Sequence, residues 1–202
     1  MKNFLKSIYK KLTPFFKWTN PFFDLRQSIM AFPNYIIFFN DLRKYRKMSD
    51  AEPVKIKDMY PCIHDNTSST GFDSHYFYQD IWAFKNILQN KAPNHVDIGS
   101  RLIYVGMLST ITKVTFIDIR PLHATLNNLK SKYGTILDLP YKDNSVNSIS
   151  CLHVAEHIGL GRYGDPLDPH GTIKAINELK RVLALGGGFI FFFTGGQIQT
   201  SV

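Results

Sequence analysis

The sequence predicts an α/β fold built on a mostly parallel sheet of about five strands, and two observations carry this prediction. Short apolar runs alternate with helical patterns between residues 95 and 152, which is typical of βαβ units. An acid and a glycine also end the first run, and a second acid ends the next run about twenty residues further on. The carboxyl ends of parallel strands meet at one edge of a sheet, so we expect these residues to surround a ligand.

The elements follow in order from the residue pattern. Apolar residues at helical spacing predict a helix over 73–90, and either Asp73 or Ser74 can cap its start. The next predictions are strand 95–98, helix 102–108, strand 114–119, helix 122–130, strand 135–137 and strand 146–152. Asp168, with Pro169 in the first turn, predicts a helix that runs to about residue 183, where the glycines at 186–188 end it. A fifth strand is predicted at 189–193.

Three residues at the ends of the first two strands are candidate cofactor ligands. Asp97 and Gly99 end the first strand, and Asp118 ends the second. A glycine there lets the backbone approach a ligand closely, and an acid on the neighbouring strand can accept hydrogen bonds from ribose hydroxyls. This spacing predicts a nucleoside cofactor.

The run over 138–193 resembles the second half of a class I S-adenosylmethionine-dependent methyltransferase core, which has a Rossmann-like fold. Its block CLHVAEHIGLGRYGDP, residues 151–166, is similar to a bacterial domain-of-unknown-function branch of that superfamily, often associated with surface-polysaccharide biosynthesis. The resemblance covers roughly residues 60–193. It implies that S-adenosylmethionine donates a methyl group to an acceptor such as a sugar or a lipid-linked glycan.

The resemblance also implies a role for each matching residue. Asp97 and Gly99, with Ser100, would hold the methionine part of the cofactor, and Asp118 would bind its ribose. Asp138 and Leu139 would meet the adenine. The sequence departs from the family pattern at Arg101, where a glycine is usual, at Asn147, where an acid is usual, and at Ala184-Leu185, where Lys-Pro is usual.

Three residues beyond the fourth strand are candidate catalytic groups, since many methyltransferases bind the acceptor at this position. A hydroxyl acceptor needs a base, and His157 or His153 could supply one near neutral pH with Glu156 orienting it. Either histidine could instead be a structural hydrogen-bonding group. In the loop that follows, Arg162, Tyr163 and Asp165 are candidates for acceptor contacts, with Arg162 suited to a phosphate or carboxylate.

Two other motifs give competing interpretations. The run His153–His157 matches the H-x-x-E-H pattern of inverted zinc peptidases. That motif needs one regular helix, whereas a predicted strand runs directly into it and no third ligand is evident, so we expect no metal. Residues 159–164 spell G-x-G-x-x-G, but they do not lie between the first strand and its helix, where a dinucleotide fingerprint functions.

We expect residues 1–47 to form a basic, aromatic and helical N-terminal extension, which precedes a linker or lid at 48–72 and the methyltransferase-like domain at 73–202. The extension holds ten Lys or Arg against two acids, and twelve aromatic residues. Three interpretations remain open. The aromatic residues could cover the core with the lysines in water, the extension could lie on an anionic membrane surface, or it could bind nucleic acid, which is the weakest of the three.

We expect the chain to stay in the cytoplasm, on the inner face of the membrane if the extension binds lipid. The longest apolar run, 29–39, is interrupted by Pro33 and Asn34 and is shorter than the roughly 20 residues that span a bilayer. No secretory signal is apparent. Cys62 and Cys151 form no disulfide framework, and Cys151 is expected to be a small buried residue.

The C-terminal end raises a further question about turnover. By resemblance, two more strands would follow Phe193, but the sequence continues only as TGGQIQTSV. The fifth strand would then be an exposed edge. The chain could be truncated, which we favour, the edge could be covered by a partner, by self-association or by the extension, or the tail could replace the missing strands. The alternative to an enzyme is a truncated or degenerate fold that acts as a membrane-associated binding or scaffold protein.

Overall fold

The computed structural model describes residues 24–120 and 122–193, together with the backbone of 199–201. The chain divides into two compact units, residues 1–71 and 72–202. Among the residues that the structure describes, no helix is long and apolar enough to cross a membrane.

The first unit contains one long helix, α1, Leu25–Tyr45. Asp24 caps it, because the Asp24 carboxylate accepts a hydrogen bond from the Gln27 backbone N–H at 3.0 Å. Pro33 lies inside the helix, where it removes one backbone hydrogen bond. The segment after α1 is irregular apart from a single 3₁₀ turn, Ile56–Asp58.

The second unit is built on a six-stranded sheet. In chain order its elements are α2 (Ser74–Asn90), β1 (Asn94–Ile98), α3 (Leu102–Leu108), β2 (Lys113–Asp118), β3 (Leu129–Tyr133), β4 (Val146–Leu152), a 3₁₀ turn (Ala155–His157), α4 (Gly171–Val182), β5 (Leu183–Phe192) and β6 (Gln199–Ser201). The strand order is β3-β2-β1-β4-β5-β6. The first five strands pair in parallel, so the predicted Rossmann-like sheet is confirmed.

β6 lies in the tail, which from the sequence could replace the missing strands, although truncation is the interpretation favoured there. It pairs antiparallel with β5, with Ile190 opposite Thr200. β5 therefore has a strand on both sides along Phe189–Phe191 and is not the exposed edge that the sequence predicts.

Two hydrophobic clusters cover the two faces of the sheet. One joins α4 to the sheet through Ala175, Leu179 and Val182, and the other joins α2 and α3 through residues such as Ile87 and Leu108. Side chains alternate between the clusters along β5, where Phe191 belongs to the first cluster and Ile190 and Phe192 to the second. Cys151 is fully buried in the first cluster, as expected, whereas Cys62 is exposed.

The connection between β2 and β3 differs from the prediction. No helix forms at 122–130, because Leu129–Tyr133 is the strand that pairs with β2. Leu122, Leu126 and Leu129 have helical spacing, but Leu122 and Leu129 pack on the core from extended backbone and Leu126 is exposed. The predicted strand at 135–137 is instead a turn, closed by the Asp138 N–H donating to the Thr135 carbonyl at 3.2 Å.

The predicted capping residue is correct at α2 and wrong at α4. Asp73 caps α2 by accepting hydrogen bonds from the His75 and Tyr76 N–H groups. α4 begins at Gly171, later than predicted, and the Asp168 carboxylate accepts from the His170 N–H and from Lys174 instead. The glycines at 186–188 do not form a loop after α4. The strand β5 begins at Leu183, directly after the helix, and includes these glycines.

Candidate functional site

The second unit contains a cavity of about 520 Å³ at the carboxyl ends of β1, β2 and β4. This volume lies in the range of small-molecule sites in proteins. Its lining comes from the strand ends, the turn after β3 and the loop after β4. The lining residues are Ile98, Gly99, Ile117, Asp118, Ile119, Arg120, Tyr133, Gly134, Thr135, Ile136, Leu137, His153, Val154, Ile158, Tyr163, Gly164, Asp165 and Pro166.

Gly99 lies where the first strand meets the cavity. Its φ is +62°, in the region that favours glycine, and its N–H donates to the Ile117 carbonyl at 2.9 Å. A Cβ atom there would lie 3.2 Å from a methyl group of Val154 and 3.5 Å from Asp118 Oδ2. The absence of a side chain at Gly99 therefore leaves the space beside the Asp118 carboxylate open.

Asp118 ends β2 and reaches the cavity, with its side chain 14% exposed. Its Oδ1 accepts a hydrogen bond from the Arg120 backbone N–H at 2.7 Å and lies 3.5 Å from Arg120 Nε. The Arg120 guanidinium also lies over the ring of Tyr163, at 4.4 Å from the centroid. Arg120 thus links the β2 end to the loop after β4 along the cavity wall.

Asp97 and Ser100 do not line the cavity. Asp97 is fully buried, where Oδ1 accepts from the Ser100 N–H at 3.0 Å and Oδ2 accepts from the Ser150 hydroxyl. The Ser100 hydroxyl in turn accepts from the Leu152 N–H at 3.2 Å. These hydrogen bonds join the loop after β1 to β4. Asp97 and Ser100 therefore hold the Gly99 loop in place without lining the cavity.

Burial raises the pKa of Asp97 to about 6, against the opposing effect of the hydrogen bonds from Ser150 and Ser100. The same buried network includes His95, whose two ring nitrogens lie 2.7 Å from the Ser148 hydroxyl and 2.8 Å from the Ser150 hydroxyl. Burial lowers the pKa of His95 to about 3, so its ring is neutral at physiological pH. The alternation of His95 with Asp97 and of Ser148 with Ser150 could have indicated this pairing, because side chains two apart share one face of a strand.

Asp138 and Leu139 also lie outside the cavity lining. Asp138 is exposed, whereas Leu139 is buried in the core and donates its N–H to Glu178 Oε1 at 2.7 Å. The turn at 135–138 directs the chain away from the cavity before Asp138 is reached. The preceding residues Thr135, Ile136 and Leu137 line the cavity in their place.

His153 is the only one of the three predicted catalytic residues that lines the cavity. Its Nδ1 lies 3.0 Å from Glu156 Oε1, and its Nε2 lies 2.7 Å from Gln79 Oε1 and 3.0 Å from His75 Nε2. His153 has a φ of +57°, which is uncommon for a residue with a side chain and often marks a functional site. Both ring nitrogens are engaged, so the structure brings His153 and Glu156 together as a fixed pair.

His157 lies on the 3₁₀ turn and faces Arg162, with His157 Nε2 at 3.0 Å from Arg162 Nη1. Burial, together with the positive charge of Arg162, lowers the pKa of His157. One 3₁₀ turn replaces the regular helix that a zinc peptidase motif needs. Among the described residues, no group of three or more His, Cys, Asp or Glu side chains is placed to hold a metal ion.

Tyr163 and Asp165 line the cavity, whereas Arg162 does not. Asp165 Oδ2 accepts hydrogen bonds from the Gly159 N–H at 2.7 Å and the Gly161 N–H at 3.4 Å. Its Oδ1 accepts from the Tyr163 N–H at 3.3 Å. These backbone hydrogen bonds, the one from Gly159 first, lower the pKa of Asp165. Asp165 therefore shapes the loop and stays ionised.

Sequence reasoning missed three residues of this region. Arg120 could have been found as a cation two positions after the strand-end acid, although its contact with Tyr163 depends on the fold. Gln79 and His75 come from α2, for which the apolar spacing predicted a helix but no site residue. No local pattern connects them with His153, which is more than seventy residues away along the chain.

A family model described as a Caenorhabditis protein of unknown function, DUF268, matches residues 131–197. This match covers about a third of the chain, from β3 to just beyond β5, and includes the loop after β4. No curated protein matches the chain.

Several solved structures are similar to part of the chain. The YcgJ protein of Bacillus subtilis is 20% identical, over 55% of this chain and 50% of that one, with a TM-score of 0.40. A putative sarcosine dimethylglycine methyltransferase of Galdieria sulphuraria is 18% identical, over 57% and 46%, with a TM-score of 0.43. Phosphoethanolamine N-methyltransferase 1 of Haemonchus contortus, solved with phosphoethanolamine and S-adenosylhomocysteine, is 14% identical, over 60% and 27%, with a TM-score of 0.43.

The chain spans about half the length of the first two of these structures. The order and pairing of the strands, rather than these distant likenesses, establish the Rossmann-like fold of the second unit.

Proposed function

We propose that this protein transfers a methyl group from S-adenosylmethionine to an acceptor bound in the cavity beside Gly99 and Asp118. One observation carries the proposal. A glycine with positive φ at the end of β1 leaves open space beside the partly exposed carboxylate that ends β2. A nucleoside needs this pair of features, because its ribose hydroxyls can donate to the carboxylate while the backbone stays close.

The rest of the lining fits the other parts of the cofactor. Ile136 and Leu137 offer apolar surface for an adenine ring, and Thr135 adds a hydroxyl. Gly99, Val154 and His153 surround the space between β1 and β4, where the methionine part would lie. In this proposal Asp97 and Ser100 position the Gly99 loop. The backbone of Asp138 closes the turn that carries the lining residues 135–137, and Leu139 holds the end of that turn in the core.

Bound S-adenosylmethionine would supply a methyl group that is already electrophilic. The protein then has to align the acceptor and exclude water. The side chains of Ile98, Ile117 and Ile158 make much of the cavity wall apolar, and an apolar wall helps to exclude water. His153, fixed by Glu156, is the candidate that can contact an acceptor, and we assign His157 a supporting role through Arg162.

For the acceptor we propose a sugar or a lipid-linked glycan, on the resemblance of residues 151–166 to a branch associated with surface polysaccharides. Arg120, Tyr163 and Asp165 add polar groups to the cavity lining, and these can exchange hydrogen bonds with a hydroxyl-rich acceptor. The non-catalytic alternative, a membrane-associated scaffold with the same fold, would bind the cofactor without turnover, and no observation favours it.

Calorimetry with S-adenosylmethionine and S-adenosylhomocysteine tests the proposal on the full chain. We expect micromolar binding, weakened about tenfold in Asp118→Asn because the ribose would then donate to a neutral amide oxygen and not to a charged carboxylate. Asp138→Asn is the matched control, since Asp138 is exposed and outside the cavity lining, and it should bind like the wild type. A folded wild-type chain that binds neither compound would overturn the proposal, as would equal affinity in wild type and Asp118→Asn.

Turnover needs a separate measurement. We expect the full chain to release S-adenosylhomocysteine when a pool of nucleotide sugars or a lipid-linked glycan extract is added, and to release none without an acceptor. Tight cofactor binding without product from any acceptor pool would favour the scaffold alternative.

A further inference from the structure

Helix α1 of the first unit presents two different faces. Ala31, Asn34, Phe38 and Leu42, spaced three and four residues apart, are half-buried. This face packs within its own unit, where Asn34 Nδ2 lies 3.4 Å from His64 Nδ1 and Phe38 lines a cavity together with Ile63. The opposite side of the helix is exposed at every residue whose side chain the structure describes there.

That opposite side carries an apolar stripe, which we define as Ile29, Phe32, Ile36 and Phe39. These four side chains are between 52% and 74% exposed. Their spacings of three, four and three residues place them on one side of a helix. A contiguous exposed apolar surface of this kind usually marks an interaction site.

Positive charge extends the stripe at one end. Arg43 follows Phe39 by four residues, and Lys44, Arg46 and Lys47 surround the end of the helix. Asp41 offsets only Lys44, to which it is ion-paired at 2.9 Å. In the sequence, residues 1–23 precede the helix and add five lysines and no acid. The partner should therefore offer an apolar region bordered by negative charge.

We propose that the α1 stripe binds an anionic lipid bilayer, with the helix lying in the plane of the surface. The four apolar side chains would reach the boundary of the acyl chains, and Arg43 with its neighbours would contact anionic headgroups. A second copy of the chain fits less well, because its own stripe would bring apolar surface but no negative charge to the basic end of the helix. Nucleic acid also fits less well, because two of the four stripe residues are isoleucines, which cannot stack on bases as aromatic rings do.

Vesicle sedimentation of the full chain tests this proposal. We expect binding to vesicles of phosphatidylcholine mixed with phosphatidylglycerol, weak binding to phosphatidylcholine alone, and a loss of binding as salt is raised. Ile36→Ser should weaken binding to the mixed vesicles about tenfold, because one apolar side chain no longer enters the bilayer. Arg43→Glu should weaken it by about tenfold as well, through its charge.

Ile56→Ser is the matched control. Ile56 is 81% exposed but lies on the 3₁₀ turn, so the same substitution there should leave vesicle binding unchanged. Circular dichroism checks that each variant keeps its helix. Equal losses in Ile36→Ser and Ile56→Ser, or no loss in Ile36→Ser, would overturn the proposal.

Two further measurements address the other partners. Sedimentation velocity measures whether the chain forms a dimer. A dimer that dissociates in Ile36→Ser, in a chain that does not bind vesicles, would identify a second copy as the partner and overturn the proposal. The chain could instead bind a single-stranded DNA oligonucleotide, lose that binding in Ile36→Ser and not bind vesicles. That result would identify nucleic acid as the partner and would also overturn the proposal.

Discussion

Asp97 is the penultimate residue of β1 and Asp118 is the last residue of the neighbouring strand β2, yet their carboxylates serve different purposes. Asp97 is fully buried behind the Gly99 loop and accepts hydrogen bonds from Ser100 and Ser150. Asp118 is partly exposed in the cavity wall. A difference of one residue in position relative to the strand end therefore separates a supporting group from a group that can contact a ligand. The two carboxylates should respond differently to substitution.

Replacing Asp97 with asparagine should change how stability depends on pH. Burial raises the folded-state pKa of Asp97 to about 6 from a usual value of 3.8, so the folded state binds more protons than the unfolded state between those values. The free energy of unfolding of the wild type, relative to Asp97→Asn, should thus fall by about 3 kcal/mol as pH rises through this window, and stay level above it. Urea unfolding of both proteins across the window measures the difference.

His95→Asn provides a check of opposite sign. Burial lowers the pKa of His95 to about 3, so the unfolded state binds more protons between that value and 6.5. The stability of the wild type relative to His95→Asn should rise with pH across that range. If both variants shifted the pH curve in the same direction, our description of the buried network would be wrong.

At the scale of the element, the glycines of the loop after β4 allow its backbone to adopt positive φ angles and a close approach to neighbouring backbone. Gly159 has a φ of +87°, its carbonyl accepts from the Asp168 N–H at 2.9 Å, and its N–H donates to Asp165. A Cβ atom at Gly159 would lie 2.0 Å from the Asp168 carbonyl oxygen. Gly159, the first glycine of the G-x-G-x-x-G run, thus allows the loop after β4 to pack directly against the segment that precedes α4.

Gly159→Ala should destabilise the second unit more than Gly164→Ala. Both glycines have positive φ, but a Cβ atom at Gly164 would meet nothing within 4 Å, so Gly164→Ala isolates the cost of backbone strain. We expect Gly164→Ala to cost about 1 kcal/mol and Gly159→Ala roughly 2 kcal/mol more, because its clash is with backbone. Thermal or urea unfolding measures both. Equal costs would show that the loop relaxes away from Asp168.

The elements also show which features a sequence can predict. Strands β1, β2 and β4 are correct within a residue or two, because apolar runs and strand-end acids are local signals, and these runs position Gly99 and Asp118. The β2–β3 connection is wrong because leucines at helical spacing also suit an extended segment packed on a sheet. The contacts of Arg120 with Tyr163, and of His153 with Gln79, join distant segments, which no local pattern encodes.

On the scale of the whole molecule, the cavity belongs to one unit. Every residue that lines it lies between Ile98 and Pro166, within residues 72–202. The apolar stripe of α1 belongs to the other unit, residues 1–71. The proposed cofactor binding and the proposed lipid binding therefore reside in separate units, joined through a segment with little regular structure.

Limited trypsin digestion should separate these two functions. Lys55 and Lys57 are exposed on or beside the single 3₁₀ turn, whereas many lysines of the second unit lie within helices or strands. Early cleavage at Lys55 or Lys57 should leave a stable C-terminal fragment, because exposed irregular segments are cut first. Mass spectrometry identifies that fragment. Since it retains the whole cavity lining, it should bind S-adenosylmethionine about as tightly as the full chain, and it should no longer sediment with anionic vesicles. A fragment that stays folded but binds the cofactor much more weakly would contradict this expectation, because it would show that residues removed by the cleavage, among them the first part of the segment 48–72, contribute to cofactor binding as a lid would.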